Sequence, residues 1–164
     1  RLITFQIKSL KNGISKIKLF LMLLFFLINL NDDAIRKAAE ENKADIIYLL
    51  LLRKQKIEND LFKGCNSLTY LCIPSTITSI CNDAFSKCQS LRQIIIPSSV
   101  KEIGQRAFYG CNLLTDVKIP SSVTSIGKFA FGYCSSLTEI EIPSSITVIK
   151  ESTFNQCTKL NKIT

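Results

Sequence analysis

Between Ile57 and Thr164 the order of apolar and polar positions repeats every 23 residues. Proline recurs at Pro74, Pro97, Pro120 and Pro143, and phenylalanine at Phe62, Phe85, Phe108, Phe131 and Phe154. The same step carries Leu68, Leu91, Leu114, Leu137 and Leu160, and also Ile57, Ile80, Ile103, Ile126 and Ile149. Cysteine follows it at Cys65, Cys88, Cys111, Cys134 and Cys157. A fixed period of this length is the mark of a solenoid, whose turns bury together an apolar face that none of them buries alone.

A single turn can be taken from "LTEIEIPSSITVI" at residues 137–149. Leu137, Ile140 and Ile142 are predicted to face inward, the last two at the two-residue spacing of a strand. Proline has no N–H for a ladder, so the strand stops at it. Two serines then favour a turn through bonds to the local backbone. A second extended piece follows, with Ile146 and Ile149, or Val123 and Ile126 one turn earlier, expected inward. The Ala-Phe pair re-enters the core and the cysteine closes the turn. Outward strand positions are then Tyr70 and Cys72, Gln93 and Ile95, Asp116 and Lys118, Glu139 and Glu141, and Lys162. Cys81 and Lys150 stand in a slot that Gly104 and Gly127 hold elsewhere, and Thr153 replaces the alanine before Phe154.

Ahead of the repeats the period changes. "DDAIRKAAEENKADIIYLLLLRK" at residues 32–54 predicts two helices, with Asp32 or Asp33 as the first cap. Ala34, Ala38 and Ala39 permit close packing, and Ile46, Ile47, Leu50 and Leu51 form one apolar face. Asn42 and Lys43 make the turn between them. The repeat register begins at once afterwards, so the helix pair (32–56) is expected to dock rigidly on the repeats (57–164). Residues 1–31 form a basic, then apolar, leader. Its "LFLMLLFFLI" at 19–28 spans about 15 Å as a helix, against about 30 Å of bilayer hydrocarbon. The length and preceding lysines suit a signal-peptide core, but no small-residue cleavage site follows. A secretion signal, a membrane anchor over 19–30 and a buried helix stay open, with membrane association not favoured. Arg1 as first residue and Thr164 within a strand lead us to expect a piece of a longer protein with more repeats.

Composition adds exclusions. The net charge is +8, and Arg1, Lys8, Lys11, Lys16 and Lys18 all precede the first acidic residue. The basic residues do not line one face of the repeats, which argues against a nucleic-acid partner. Histidine is absent, which removes the commonest general base and zinc ligand together. "GKF" at 127–129 is not a phosphate loop, and no nucleophile elbow occurs. Glu139 and Glu141 share a direction, but such pairs are common on exposed sheets. Neither enzyme activity, nor a metal, nor a cofactor is expected. The five periodic cysteines read as a packed column of small apolar side chains. Stacked turns would bring them within disulfide reach, but with side-by-side Cβ vectors that disfavour bridging. Cys72 and Cys81 stand off this column, and Cys72, outward on its strand, is the expected accessible thiol.

The consensus L-x-x-I-x-I-P-S-S-V-x-x-I-G-x-x-A-F-x-x-C-x-S resembles the BspA-like leucine-rich repeat. That resemblance implies a β-rich leucine-rich-repeat solenoid with parallel strands on the concave side, here with a short N-terminal α-helical cap. It also implies binding of a protein partner rather than catalysis, with cell-surface adhesion and antigenicity as associations of the family. We take Tyr70, Gln93, Ile95, Asp116, Lys118, Glu139 and Glu141 as candidate partner-binding residues. "DAIRKAAEENKADIIYLLL" resembles one ankyrin repeat, departing from it at Asp33, Ala34 and Arg36 and in lacking its glycine hairpin. Two functions stay open: an intracellular interaction scaffold, slightly favoured by the unpaired thiols, and a surface adhesin or antigen.

Overall fold

The computed structural model describes residues 31–164, so the apolar run at 19–28 lies outside the described residues. Helices α1 (Asp32–Glu40) and α2 (Ala44–Leu51) come first. Acidic Asp32 and Asp33 occupy the first turn of α1, where the helix dipole favours negative charge. The helix ends in a Schellman motif. Asn42 adopts a left-handed φ of 52°, its N–H donates to Ala39 O, and the N–H of Lys43 donates to Ala38 O. Ile35, Ala38 and Ala39 of α1 and Ile47, Leu50 and Leu51 of α2 are buried, while Ile46 is half-buried.

Nine short strands follow: β1 (Lys56–Ile57), β2 (Tyr70–Cys72), β3 (Ser79–Ile80), β4 (Gln93–Ile95), β5 (Glu102–Ile103), β6 (Asp116–Val117), β7 (Ser125–Ile126), β8 (Glu139–Ile140) and β9 (Lys162–Ile163). They form parallel ladders on two sides of the stack. One is ordered β1-β3-β5-β7; the other holds β2-β4-β6 and, separately, β8-β9. Register follows the repeat, with Ile57 paired to Ile80, Ile103 and Ile126 in succession, each buried. The third side has no strands. There the N–H groups of Phe62, Phe85 and Phe108 donate to the Ala84, Ala107 and Ala130 carbonyls at 2.8 Å, and Phe131 N–H donates to Thr153 O at 3.0 Å.

Inside, the phenylalanines stack in one row. Ring centroids from Phe62 to Phe154 lie 4.8, 5.3, 5.3 and 5.8 Å apart, with interplanar angles of 5°, 4°, 10° and 12°. These spacings are set by the roughly 4.8 Å between adjacent strands. Phe62, Phe85, Phe108 and Phe131 are fully buried. The cysteine column lies beside them, and all seven thiols are free. Its thiols also do more than fill space: Cys88, Cys111, Cys134 and Cys157 donate to the carbonyls of Phe62, Phe85, Phe108 and Phe131 at 2.9, 3.2, 3.2 and 3.0 Å. Alanine in that slot would fill less space and make no such bond.

Glycine in the repeat slot is required by space. A Cβ on Gly104 would lie 2.6 Å from the Cys81 carbonyl carbon, and one on Gly127 would lie 2.3 Å from the Gln105 nitrogen. Cys81 nevertheless keeps its ladder bond to Ile57 O at 2.9 Å, as Gly104 and Gly127 do to Ile80 and Ile103. The series ends where Lys150 takes the slot, and no strand forms at 148–149. Ile149, expected inward, is 47% exposed, and Val148 is 68% exposed. The inward expectation for Ile149 fails because its turn leaves this ladder and no described residue covers it.

The helix pair supplies the bonding groups that a preceding turn would. Asn42 Oδ1 accepts the Thr69 N–H at 3.0 Å, where later turns use the carbonyls of Thr69 and Arg92 for Arg92 and Thr115. Thr76 donates to Leu51 O, matching the bonds from Ser99, Ser122 and Ser145 to Ile77, Val100 and Val123. Arg36 Nε donates to Leu61 O at 3.2 Å, and Lys54 pairs with Asp32 at 2.8 Å.

Candidate functional site

The β2-β4-β6 side presents the outward residues singled out above. Register places Tyr70, Gln93 and Asp116 in one row and Cys72 beside Ile95 in the next. Alternation puts Leu71, Ile94 and Val117 into the core between them. Gln93, Asp116, Lys118, Glu139 and Glu141 are all exposed. Tyr70 is 38% and Ile95 46% exposed. Gln93 Nε2 donates to Asp116 Oδ2 at 3.1 Å, and Lys162 pairs with Glu139 at 3.0 Å. Burial, and then the neighbouring Cys72, push the Tyr70 phenol above its ordinary range.

The candidates fall into two groups. Tyr70 and Ile95 form an apolar end beside the helix cap. Asp116, Lys118, Glu139 and Glu141 line a small cleft of about 210 Å³ with Lys162 and Thr164. This cleft marks the gap between β6 and β8, which are not paired. Its mixed charge offers hydrogen bonds and ion pairs to a polar partner. Its carboxylates do not converge on one point, and no cluster of metal-ligating residues occurs among the described residues. A larger polar groove of about 650 Å³ runs along the β1-β3-β5-β7 side, floored by Gly104 and Gly127.

The thiols of the periodic column are not activated. Burial raises Cys88 to about 12, with Cys65 adding to the effect. Burial raises Cys111 well above its ordinary value and Cys134 likewise. A nucleophilic cysteine needs the opposite shift. Cys72, Cys81 and Cys157 are half-buried, so Cys72 shares its accessibility with two others. Sequence reasoning missed one surface altogether: Tyr109, Phe129 and Tyr133 on the strandless side. The available signal was their departure from columns otherwise filled by Lys63, Ser86, Gly132 and Asn155, by Asp60, Asp83, Arg106 and Ser152, and by Gly64, Lys87, Gly110 and Gln156.

Residues 55–164 match the family model for the BspA type leucine rich repeat region, in six copies. The chain belongs to the BspA-type leucine-rich repeat family. Solved structures similar to this chain agree with its architecture. The Treponema pallidum leucine-rich repeat protein is 31% identical with a TM-score of 0.65, over 66% of this chain and 50% of that one. A leucine-rich cell surface protein from Faecalibacterium prausnitzii is 38% identical with a TM-score of 0.65, over 66% of this chain and 29% of that one. The pneumococcal vaccine antigen PcpA shares the fold at 23% identity and a TM-score of 0.63, over 66% of this chain and 27% of that one. The chain thus spans half or less of each of these proteins. No curated protein matches it. BspA-type repeats make this a repeat scaffold of a generally non-enzymatic kind. Among the described residues no helix is long and apolar enough to cross a membrane.

Proposed function

We propose that this BspA-type array is a non-catalytic module that binds a protein partner through the outward row of its β2-β4-β6 side. The observation that carries the proposal is the exposed Tyr70–Ile95 end, joined by register to the charged cleft at Asp116, Lys118, Glu139 and Glu141. Binding energy concentrates on a few aromatic and apolar anchors, with polar neighbours providing specificity. We further propose that the helix pair is an ankyrin-like unit (32–56) acting as a cap, and that the repeats (57–164) are the binding domain.

Affinity capture with the full chain, followed by titration of each purified partner, tests this. Tyr70→Ala with Ile95→Ala should weaken binding by about tenfold or more while leaving the melting temperature nearly unchanged. Unchanged affinity in that double variant would reject the proposed face. A second reading, a surface adhesin or antigen, is supported by the F. prausnitzii relative being a cell surface protein. Protease digestion of intact producing cells separates the two: cleavage of the native protein supports the surface reading, and protection supports the scaffold.

A further inference from the structure

The strandless side of the solenoid reverses direction twice per turn, each time through a left-handed residue. One column is Asp60, Asp83, Arg106, Phe129 and Ser152, with φ between 53° and 58°; the other is Gly64, Lys87, Gly110, Tyr133 and Gln156, with φ between 58° and 73°. Aspartate and glycine are residues that enter this region most easily. Bulky aromatic residues do so rarely, and strain of that kind collects at functional surfaces. Phe129 and Tyr133 carry it within one turn, and Tyr133 is 44% exposed.

Both rings join a cluster. Tyr109 lies 5.2 Å from Tyr133 and 6.4 Å edge-on from Phe129. Gly132 leaves room for the Tyr109 ring, because a Cβ there would sit 3.2 Å from that ring's Cδ2. The Arg106 guanidinium lies 5.8 Å from the centres of both Tyr109 and Phe129. Among the described residues no carboxylate pairs with Arg106 or Lys87, although Lys63 and Lys128 on the same side are paired. Arg106 and Lys87, neither held in an ion pair among the described residues, therefore flank an aromatic platform that is exposed at Tyr133 and half-buried at Tyr109 and Phe129, and whose neighbours along the stack are polar.

We propose that Arg106, Tyr109, Phe129 and Tyr133 form a second interaction surface, on the strandless side, for an acidic polypeptide segment carrying proline or an aromatic ring. Tyrosine and arginine are the residues that dominate protein interfaces. Aromatic platforms grip the flat faces of proline and aromatic side chains, and the cations outside ion pairs select acidic flanks. This site shares no residue with the proposed row at Tyr70 and Ile95.

The repeat itself supplies the control. Phe129→Asp and Tyr133→Gly restore residue types that other turns already use at those positions, so the double variant should fold with an unchanged or raised melting temperature. The full chain and this variant are each panned against a displayed random peptide library, and enriched peptides are then titrated in solution. We expect the full chain alone to enrich acidic segments with proline or aromatic residues. The double variant should bind them about 30-fold more weakly or worse. Arg106→Gln should weaken them and flatten their salt dependence, while Tyr70→Ala leaves them unaffected. Enrichment of basic or featureless peptides, equal enrichment by both proteins, or self-association of the full chain through this cluster would overturn the proposal. So would stacking of neutral oligosaccharides on the platform in place of peptides.

Discussion

At the scale of single residues, the same slot is solved differently in each column. The phenylalanine row is purely apolar, and stacked pairs of this kind add about 0.5–1.5 kcal/mol each beyond their burial. Phe108→Ala should therefore lower stability by about 3–5 kcal/mol in a denaturant titration. The thiols introduce a pH dependence. Cys88 is shifted from 9.0 to about 12 by burial, so below pH 9 both folded and unfolded states hold the proton. Between pH 9 and 12 only the unfolded state releases it, and stability falls by about 1.4 kcal/mol per pH unit for each such thiol. Melting temperatures recorded from pH 8 to 11 should drop steeply above 9, and Cys88→Ala should soften the slope. The left-handed positions give a third expectation. Lys87, at φ 60°, stands where two other turns have glycine, so Lys87→Gly should be neutral or stabilising by up to about 1 kcal/mol in the same titration.

Among elements, strand and core were open to inspection because their period shows in residue type. The isoleucine spacing gave both ladders, and the 23-residue step gave their register. The hydrogen bonds that the cysteines make to phenylalanine carbonyls were hidden, since composition reports a thiol's volume and not its partner. Left-handed backbone at Phe129 and Tyr133 was hidden for a related reason: φ is fixed by the neighbouring turns, and those two residues argue locally against it. Ile149 misled because its column is buried elsewhere, whereas its own turn leaves the ladder at Lys150. Lys150→Gly should restore space in the slot. Hydrogen exchange should then show slowed amides at Thr147 and Lys150→Gly itself, as at Thr124 and Gly127. Exchange as fast as in the parent chain would mean that something other than the lysine opens this turn.

Across the whole molecule, stability comes from neighbour covering neighbour, and the helix pair covers the first turn. Asn42 has two tasks, the left-handed end of α1 and the acceptor for Thr69. Asn42→Gly keeps the first and removes the second, so we expect a loss of about 1 kcal/mol. Of the candidate face, the outward positions were legible from alternation alone. The gap between β6 and β8, which gathers Asp116, Lys118, Glu139 and Glu141 around one cleft, was not, because it is a departure from the repeat. The most direct measurement is site-resolved thiol labelling of the native chain, read by mass spectrometry. Cys65, Cys88, Cys111 and Cys134 should stay protected until the chain unfolds, while Cys72, Cys81 and Cys157 react. Native labelling of all seven at similar rates would contradict a shared interior of stacked turns.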